Sequence, residues 1–304
     1  MSGLAKGVWA AALTPLAPDL SPDIPALAAH CRWLLANGCD GLAVLGTTGE
    51  ANSFTLAERL AMLDGLSQAG IPGANLMPGT GCCAFPDAVA LTKKAVEIGA
   101  LGVLVLPPFY YKNVSDEGVF AYYARVIEDV GDSRLKLYLY HFPKLSGVAI
   151  TKPLIERLMK AYPGVIAGLK DSMGDLEQTL DLVRGFPDLS ILAGYDDGLL
   201  PVLDAGGAGC ITACANIASP LAAKVVAALP DIKQAQLAQM RLTGVRRILE
   251  AYPMTAALKE VLARASGIDA WRGVRPPLVA LPGDKAESLM NQLAASGFAL
   301  APLS

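Results

Sequence analysis

Residues 165–175 read VIAGLKDSMGD and put one lysine, Lys170, at the end of an otherwise apolar run. Burial disfavours the charged form of an amine, and a neutral amine attacks a carbonyl carbon to form a Schiff base. The competing reading of Lys170 is a structural ion pair with Asp171 or Asp196. Further upstream, LYLYH carries Tyr140, and strand alternation sets Tyr138 and Tyr140 on one face and Leu137 and Leu139 on the other. A phenol turned inward beside the lysine would shuttle protons during carbinolamine formation, or would simply fill the core. The stretch LGTTGE offers the hydroxyls of Thr47 and Thr48 with glycine-permitted backbone N–H groups in one tight turn. That is a cradle for a carboxylate, or an ordinary Thr-Gly turn. Taken together, these groups suit a small 2-oxo acid: a carboxylate holder, an amine for the adjacent ketone and a phenol for protons. A protonated imine withdraws electrons from the neighbouring carbon, so the expected reactions are aldol cleavage or addition with pyruvate, or loss of water from a deoxy sugar acid. None of them needs a cofactor or a metal.

Positioning such groups is the task of the elements around them. Short β-like runs alternate with helix-like segments, giving candidate strands at 8–13, 41–45, 74–79, 102–106, 136–141, 165–170, 190–194 and 209–212. Between them lie segments of helical apolar spacing such as TLAERLAMLDGLSQAG and GVFAYYARVIEDVG, several closed by glycine. Eight strands over about 205 residues match the spacing of a (β/α)8 TIM barrel. An open doubly wound sheet is the competing architecture, but the first strand-to-helix junction, TPLAPDLSPD, has no GxGxxG. Beyond residue 220 the pattern is helical throughout. The expected organisation is an α/β barrel over residues 1–220 and a C-terminal helical extension over 221–304 packed on it. In a barrel, catalytic groups come from the C-terminal ends of the strands, where LGTTGE, YLYHFP, GLKDS and AGYDD fall.

Composition narrows the partners. Of the 304 residues 53% are hydrophobic and 17% charged, and the mean hydropathy is +0.41, which suits extensive burial and a subunit interface. No apolar run approaches the roughly 18 residues of a membrane span. The start, MSGLAKGVWAAALTPL, superficially fits a secretory signal, but Pro15 follows the apolar stretch and the run equally suits a buried strand. A net charge of −3 and the lack of any basic run speak against nucleic acid. Six cysteines without CxxC pairs read as reduced thiols in a cytoplasmic protein. The two histidines, His30 and His141, have no partner at zinc-ligand spacing.

The chain resembles the N-acetylneuraminate lyase and dihydrodipicolinate synthase family of class I aldolases. The likeness runs almost end to end, through GVWAAALTP, GTTGEANSFT, PPFYYK, YHFPKLSGVAIT, GLKDSMGD, GYDDGLLPVLDAGGAGCITACAN and RPPL. It implies Lys170 as the Schiff-base lysine, Tyr140 as the catalytic tyrosine, and Thr47 and Thr48 as carboxylate binders. Tyr110 in PPFYY matches a tyrosine that such proteins insert into a neighbouring subunit's site, and a homotetramer built as a dimer of dimers is implied with it. Asp196 and Asp197 in GYDD match an acidic pair that faces a polyhydroxylated chain in the neuraminate lyase branch, and Gly194 is a further candidate for substrate binding. Ser172 and Thr212 are further candidates for substrate contact, Ser172 with helix capping as its other role. Three departures stand out. Leu145 occupies the place where the synthase branch carries an arginine for a second carboxylate, and Ala213 the place of a substrate-contacting serine of the lyase branch. His141 stands where asparagine is usual, and alternation turns it away from the barrel interior. The expected substrate is therefore a 2-keto-3-deoxy sugar acid, cleaved to pyruvate and an aldehyde or dehydrated through the same imine; a catalytically silent ligand-binding relative is the alternative from another class, and the presence of both Lys170 and Tyr140 counts against it.

Overall fold

The computed structural model describes residues 3–302, so the outer limits of the expected domains, residues 1 and 304, lie outside the described residues. Seven strands form one parallel sheet: β1 (Gly7–Ala10), β2 (Gly41–Leu42), β3 (Val103–Val105), β4 (Leu137–His141), β5 (Ile166–Asp171), β6 (Ser190–Ala193) and β7 (Gly209–Thr212). Their order is β2-β1-β7-β6-β5-β4-β3. The expected third strand, Ala74–Gly79, is a correction. Its first residues wind into a 3-10 turn, Gly73–Asn75, and Pro78 has no N–H to give a ladder, so no regular strand forms. The segment nevertheless fills the gap between β2 and β3. Met77 N donates to Leu42 O and Gly79 N to Val44 O on one side, and Leu104 N donates to Pro78 O on the other. With this irregular eighth stave the ring closes into a barrel.

Both faces of the strands are buried, as a parallel sheet wrapped by helices requires. On β4, Leu137 and Leu139 join the outer core beneath the helices, while Tyr138 and Tyr140 join the inner core of the barrel. On β5 the alternation is broken. Leu137 pairs with Ile166 but Tyr138 pairs with Gly168, leaving Ala167 as a bulged extra residue. Ala167 faces inward and Leu169 outward, so period two fails between them and resumes one residue out of phase. A side chain at Gly168 would strike the Tyr138 ring, its Cβ 2.6 Å from the nearest ring carbon. The bulge thus brings Tyr140 opposite Lys170.

After β7 come helices Ala215–Ala227, Ile232–Glu250, Met254–Ser266 and Gly283–Ala295. Residue 220 falls inside the first of these, which is kinked at Ala218 ahead of Pro220. Helices Ile232–Glu250 and Met254–Ser266 reach back over the C-terminal ends of the strands. Among the described residues no helix is long and apolar enough to cross a membrane.

Candidate active site

Lys170 lies one residue from the end of β5, only 6% exposed. Its Nζ donates to Tyr140 Oη at 3.3 Å and stands 4.4 Å from the centre of that ring. Tyr140 is held in turn against Phe142, with the ring centroids 5.9 Å apart. The ion pair weighed for Lys170 is not formed. Asp171 takes the Thr179 hydroxyl at 2.6 Å, and Asp196 is occupied by Thr212 and Arg246.

Above the amine opens a cavity of about 730 Å³ at the C-terminal ends of the strands. Lys170, Tyr140, Thr47, Thr48, Ser172, Gly194 and Asp197 all line it. Thr47 and Thr48 come from the turn after β2, and Ser172 follows β5. Gly194 directly follows β6, and a Cβ there would lie 2.0 Å from Ser172 Oγ, so only glycine leaves the serine in place. Leu145 and Ala213 line the cavity as well, which makes apolar the two positions where the resemblance would set an arginine and a serine.

Three expected residues do not reach the cavity. Asp196 and Thr212 are fully buried and face each other, Thr212 Oγ1 donating to Asp196 Oδ2 at 2.6 Å with Arg246 Nη1 at 3.4 Å. Desolvation raises the Asp196 carboxyl above the usual carboxylate range, against the pull of Arg246. The 3-10 turn Asp196–Gly198 separates the acidic pair: Asp197 alone borders the cavity, in an ion pair with Arg247. Tyr110 is 74% exposed and packs edge-on to Tyr111, away from Lys170 of its own chain. His141, by contrast, faces outward as its alternation suggested. Ile150 N donates to its Nδ1 at 2.9 Å, and burial lowers its pKa, so the imidazole is neutral at pH 7.

The far wall of the cavity escaped the sequence reading. Arg246, Arg247 and Glu250 come from helix Ile232–Glu250, and Met254 and Thr255 from the next helix. Arg246 Nε donates to Glu250 Oε1 at 2.8 Å and Arg247 Nη1 to Glu250 Oε2 at 2.9 Å, so this wall is a closed network of paired charges. An Arg-Arg pair in a helix reads in sequence as a solvated face, and only the fold brings it over the strand ends. Among the described residues no three His, Cys, Asp or Glu side chains gather where they could share a metal ion.

Residues 4–296 match the model of the dihydrodipicolinate synthetase family. A DapA-like lyase of Chloroflexus aurantiacus is 34% identical over 285 residues, covering 93% of this chain and 94% of the relative. The crystal structure of dihydrodipicolinate synthase from Agrobacterium tumefaciens is similar at a TM-score of 0.87 and 33% identity, over 95% of this chain and 98% of that one. YagE, an Escherichia coli prophage protein of the dihydrodipicolinic acid synthase family solved with pyruvate, is similar at a TM-score of 0.90 and 26% identity, over 98% of this chain and 100% of that one. A match across nearly the whole chain, on a shared barrel, makes this protein a member of the dihydrodipicolinate synthetase family and a carbon–carbon lyase.

Proposed function

We propose that the chain is a Schiff-base aldolase that cleaves a 2-keto-3-deoxy sugar acid to pyruvate and an aldehyde. The observation that carries this reading is the 3.3 Å approach of Lys170 Nζ to Tyr140 Oη on the floor of a cavity that Thr47 and Thr48 also line. The carboxylate of the oxo acid docks on the Thr47–Thr48 turn. Lys170 Nζ adds to the C2 carbonyl, and loss of water from the carbinolamine leaves a protonated imine. The imine accepts the electron pair of the C3–C4 bond as that bond breaks, while the C4 hydroxyl gives up its proton through Tyr140 and leaves as the aldehyde. The enamine takes a proton at C3, and water hydrolyses the imine to release pyruvate and the free amine.

Pyruvate in the related E. coli protein YagE supports an oxo-acid site in a barrel of this shape. Leu145 puts no cation where the synthase branch holds a second carboxylate, which disfavours the synthase reaction, and Ala213 puts no hydroxyl where the lyase branch has its serine, which disfavours neuraminate cleavage. We further propose a cytoplasmic homotetramer, a dimer of dimers, in which the barrel and its extension work as one unit. Six free thiols, five of them buried, and the exposed Tyr110 and Tyr111 support it. Sedimentation as a monomer would overturn the assembly.

The test is borohydride reduction in the presence of pyruvate, followed by mass spectrometry of the peptide bearing Lys170. A reduced pyruvyl adduct on Lys170 is expected, and an unmodified lysine would sink the mechanism. A screen of keto-deoxy acids then reads products. Pyruvate with an aldehyde is expected, whereas a dehydrated oxo acid retaining every carbon would make the enzyme a hydro-lyase.

A further inference from the structure

The turn that carries Thr47 and Thr48 is bent into an uncommon backbone at both ends. Leu45 and Glu50 each have a φ of +57°, a region that glycine enters freely and other residues seldom occupy. Such conformations persist where their surroundings over-determine them. At Glu50 those surroundings are helix Met254–Ser266 and the loop that follows residue 272. Glu50 Oε1 accepts from Lys259 Nζ at 2.5 Å and Oε2 from Arg275 N at 2.8 Å, and both side chains of the ion pair are wholly buried. Lys259 also donates to Gly273 O at 2.6 Å. One helical turn before Lys259, the Thr255 hydroxyl stands 3.4 Å from Thr48 O, and from the other side Thr14 Oγ1 donates to Gly49 O at 2.8 Å. Glycine would take the backbone of residue 50 at less steric cost, so what a glutamate adds there is its carboxylate. A buried charge is stable only beside its partner, which locks the turn to helix Met254–Ser266.

We propose that Glu50 and Lys259 are positioning residues whose ion pair holds the Thr47–Thr48 turn in its carboxylate-binding shape. The inference rests on the reading of that turn as the carboxylate cradle. Neither residue touches the substrate. Each acts through the turn backbone, and a cradle formed before binding spares the oxo acid the cost of ordering it. Loosening the ion pair weakens capture of the oxo acid and leaves the chemistry at Lys170 in place.

The experiment titrates pyruvate against borohydride trapping at Lys170 in the wild type, Glu50→Gln, Lys259→Met and the apolar double variant Glu50→Leu/Lys259→Met, with thermal unfolding of each. The half-saturating pyruvate concentration is expected to rise at least tenfold in both single variants, with trapping still complete at saturation. The double variant leaves no unpaired buried charge. It is expected to regain thermal stability and to keep the raised half-saturation even where a single variant fails to fold. A double variant that binds pyruvate like the wild type would overturn the inference, making the ion pair structural only. A wild type that is never trapped overturns the Schiff-base reading itself and this inference with it, whereas wild-type trapping with unshifted variants overturns this inference alone.

Discussion

Tyr140 and Lys170 are register partners on adjacent strands, and their side chains meet at 3.3 Å on the inner face of the barrel. This contact separates the two roles experimentally. Lys170→Met is expected to abolish both borohydride trapping and turnover. Tyr140→Phe keeps the amine and the ring but loses the hydroxyl, so slowed trapping should persist while kcat falls by about 10²- to 10⁴-fold. Wild-type kcat in Tyr140→Phe would remove the phenol from the mechanism.

The acidic pair after β6 should divide by burial. Asp196→Ala strips a fully buried carboxylate from Thr212 and Arg246 and is expected to cost about 3 kcal/mol in urea unfolding. Asp197→Ala breaks a more exposed pair with Arg247 and should cost less than about 1 kcal/mol, its effect appearing in KM for the substrate. Equal losses of stability would contradict the division.

Gly194 is predicted to be intolerant of even one carbon. Gly194→Ala sets a Cβ against Ser172 Oγ and 2.9 Å from Asp171 O, the residue next to Lys170. Steady-state assays should show kcat/KM reduced by at least about tenfold, since a shift of around 1 Å near reacting groups has effects of that order. Adding Ser172→Ala should recover part of the loss, because it removes the oxygen but leaves the backbone contact. A Gly194→Ala enzyme with wild-type kinetics would show that this strand end is free to move.

His30 gives a pH signature in stability. It is buried against Trp33 and Trp271, with Nε2 2.9 Å from Asn216 Oδ1, and desolvation lowers its pKa from 6.5 to about 4. A depressed folded-state pKa contributes stability that is fully present above pH 6.5 and is lost as the pH falls toward 4. The difference is about 3 kcal/mol. Denaturant titrations at pH 7 and pH 4 should therefore show a steeper loss in the wild type than in His30→Gln. Parallel losses would mean that His30 titrates without cost.

Much of the cavity lining was legible because its signals are local. A lysine in an apolar strand, two threonines between glycines and a tyrosine in an alternating run carry their meaning within a few residues of sequence. The same locality misled where one side chain competes with its neighbour. Asp196 and Asp197 read alike, yet a 3-10 turn buries one and leaves the other on the cavity. The strand expected at 74–79 failed on Pro78, whose missing N–H broke the ladder though the segment kept its place in the ring.

The sequence by itself determined which side chains the barrel could offer at its strand ends and the number of staves needed to display them, because residue type and apolar period are properties of the chain. Tertiary structure decided which face Lys170 occupies. Period two counted from the outward Ile166 would send the lysine toward the helices, and the one-residue bulge at Ala167 turns it inward to Tyr140. It also brought Lys259 to Glu50, and Arg246 and Arg247 over the cavity. Those contacts join residues far apart along the chain, and the charges of Glu50 and Lys259, which read as solvated in sequence, become buried partners only when packing removes the water between them.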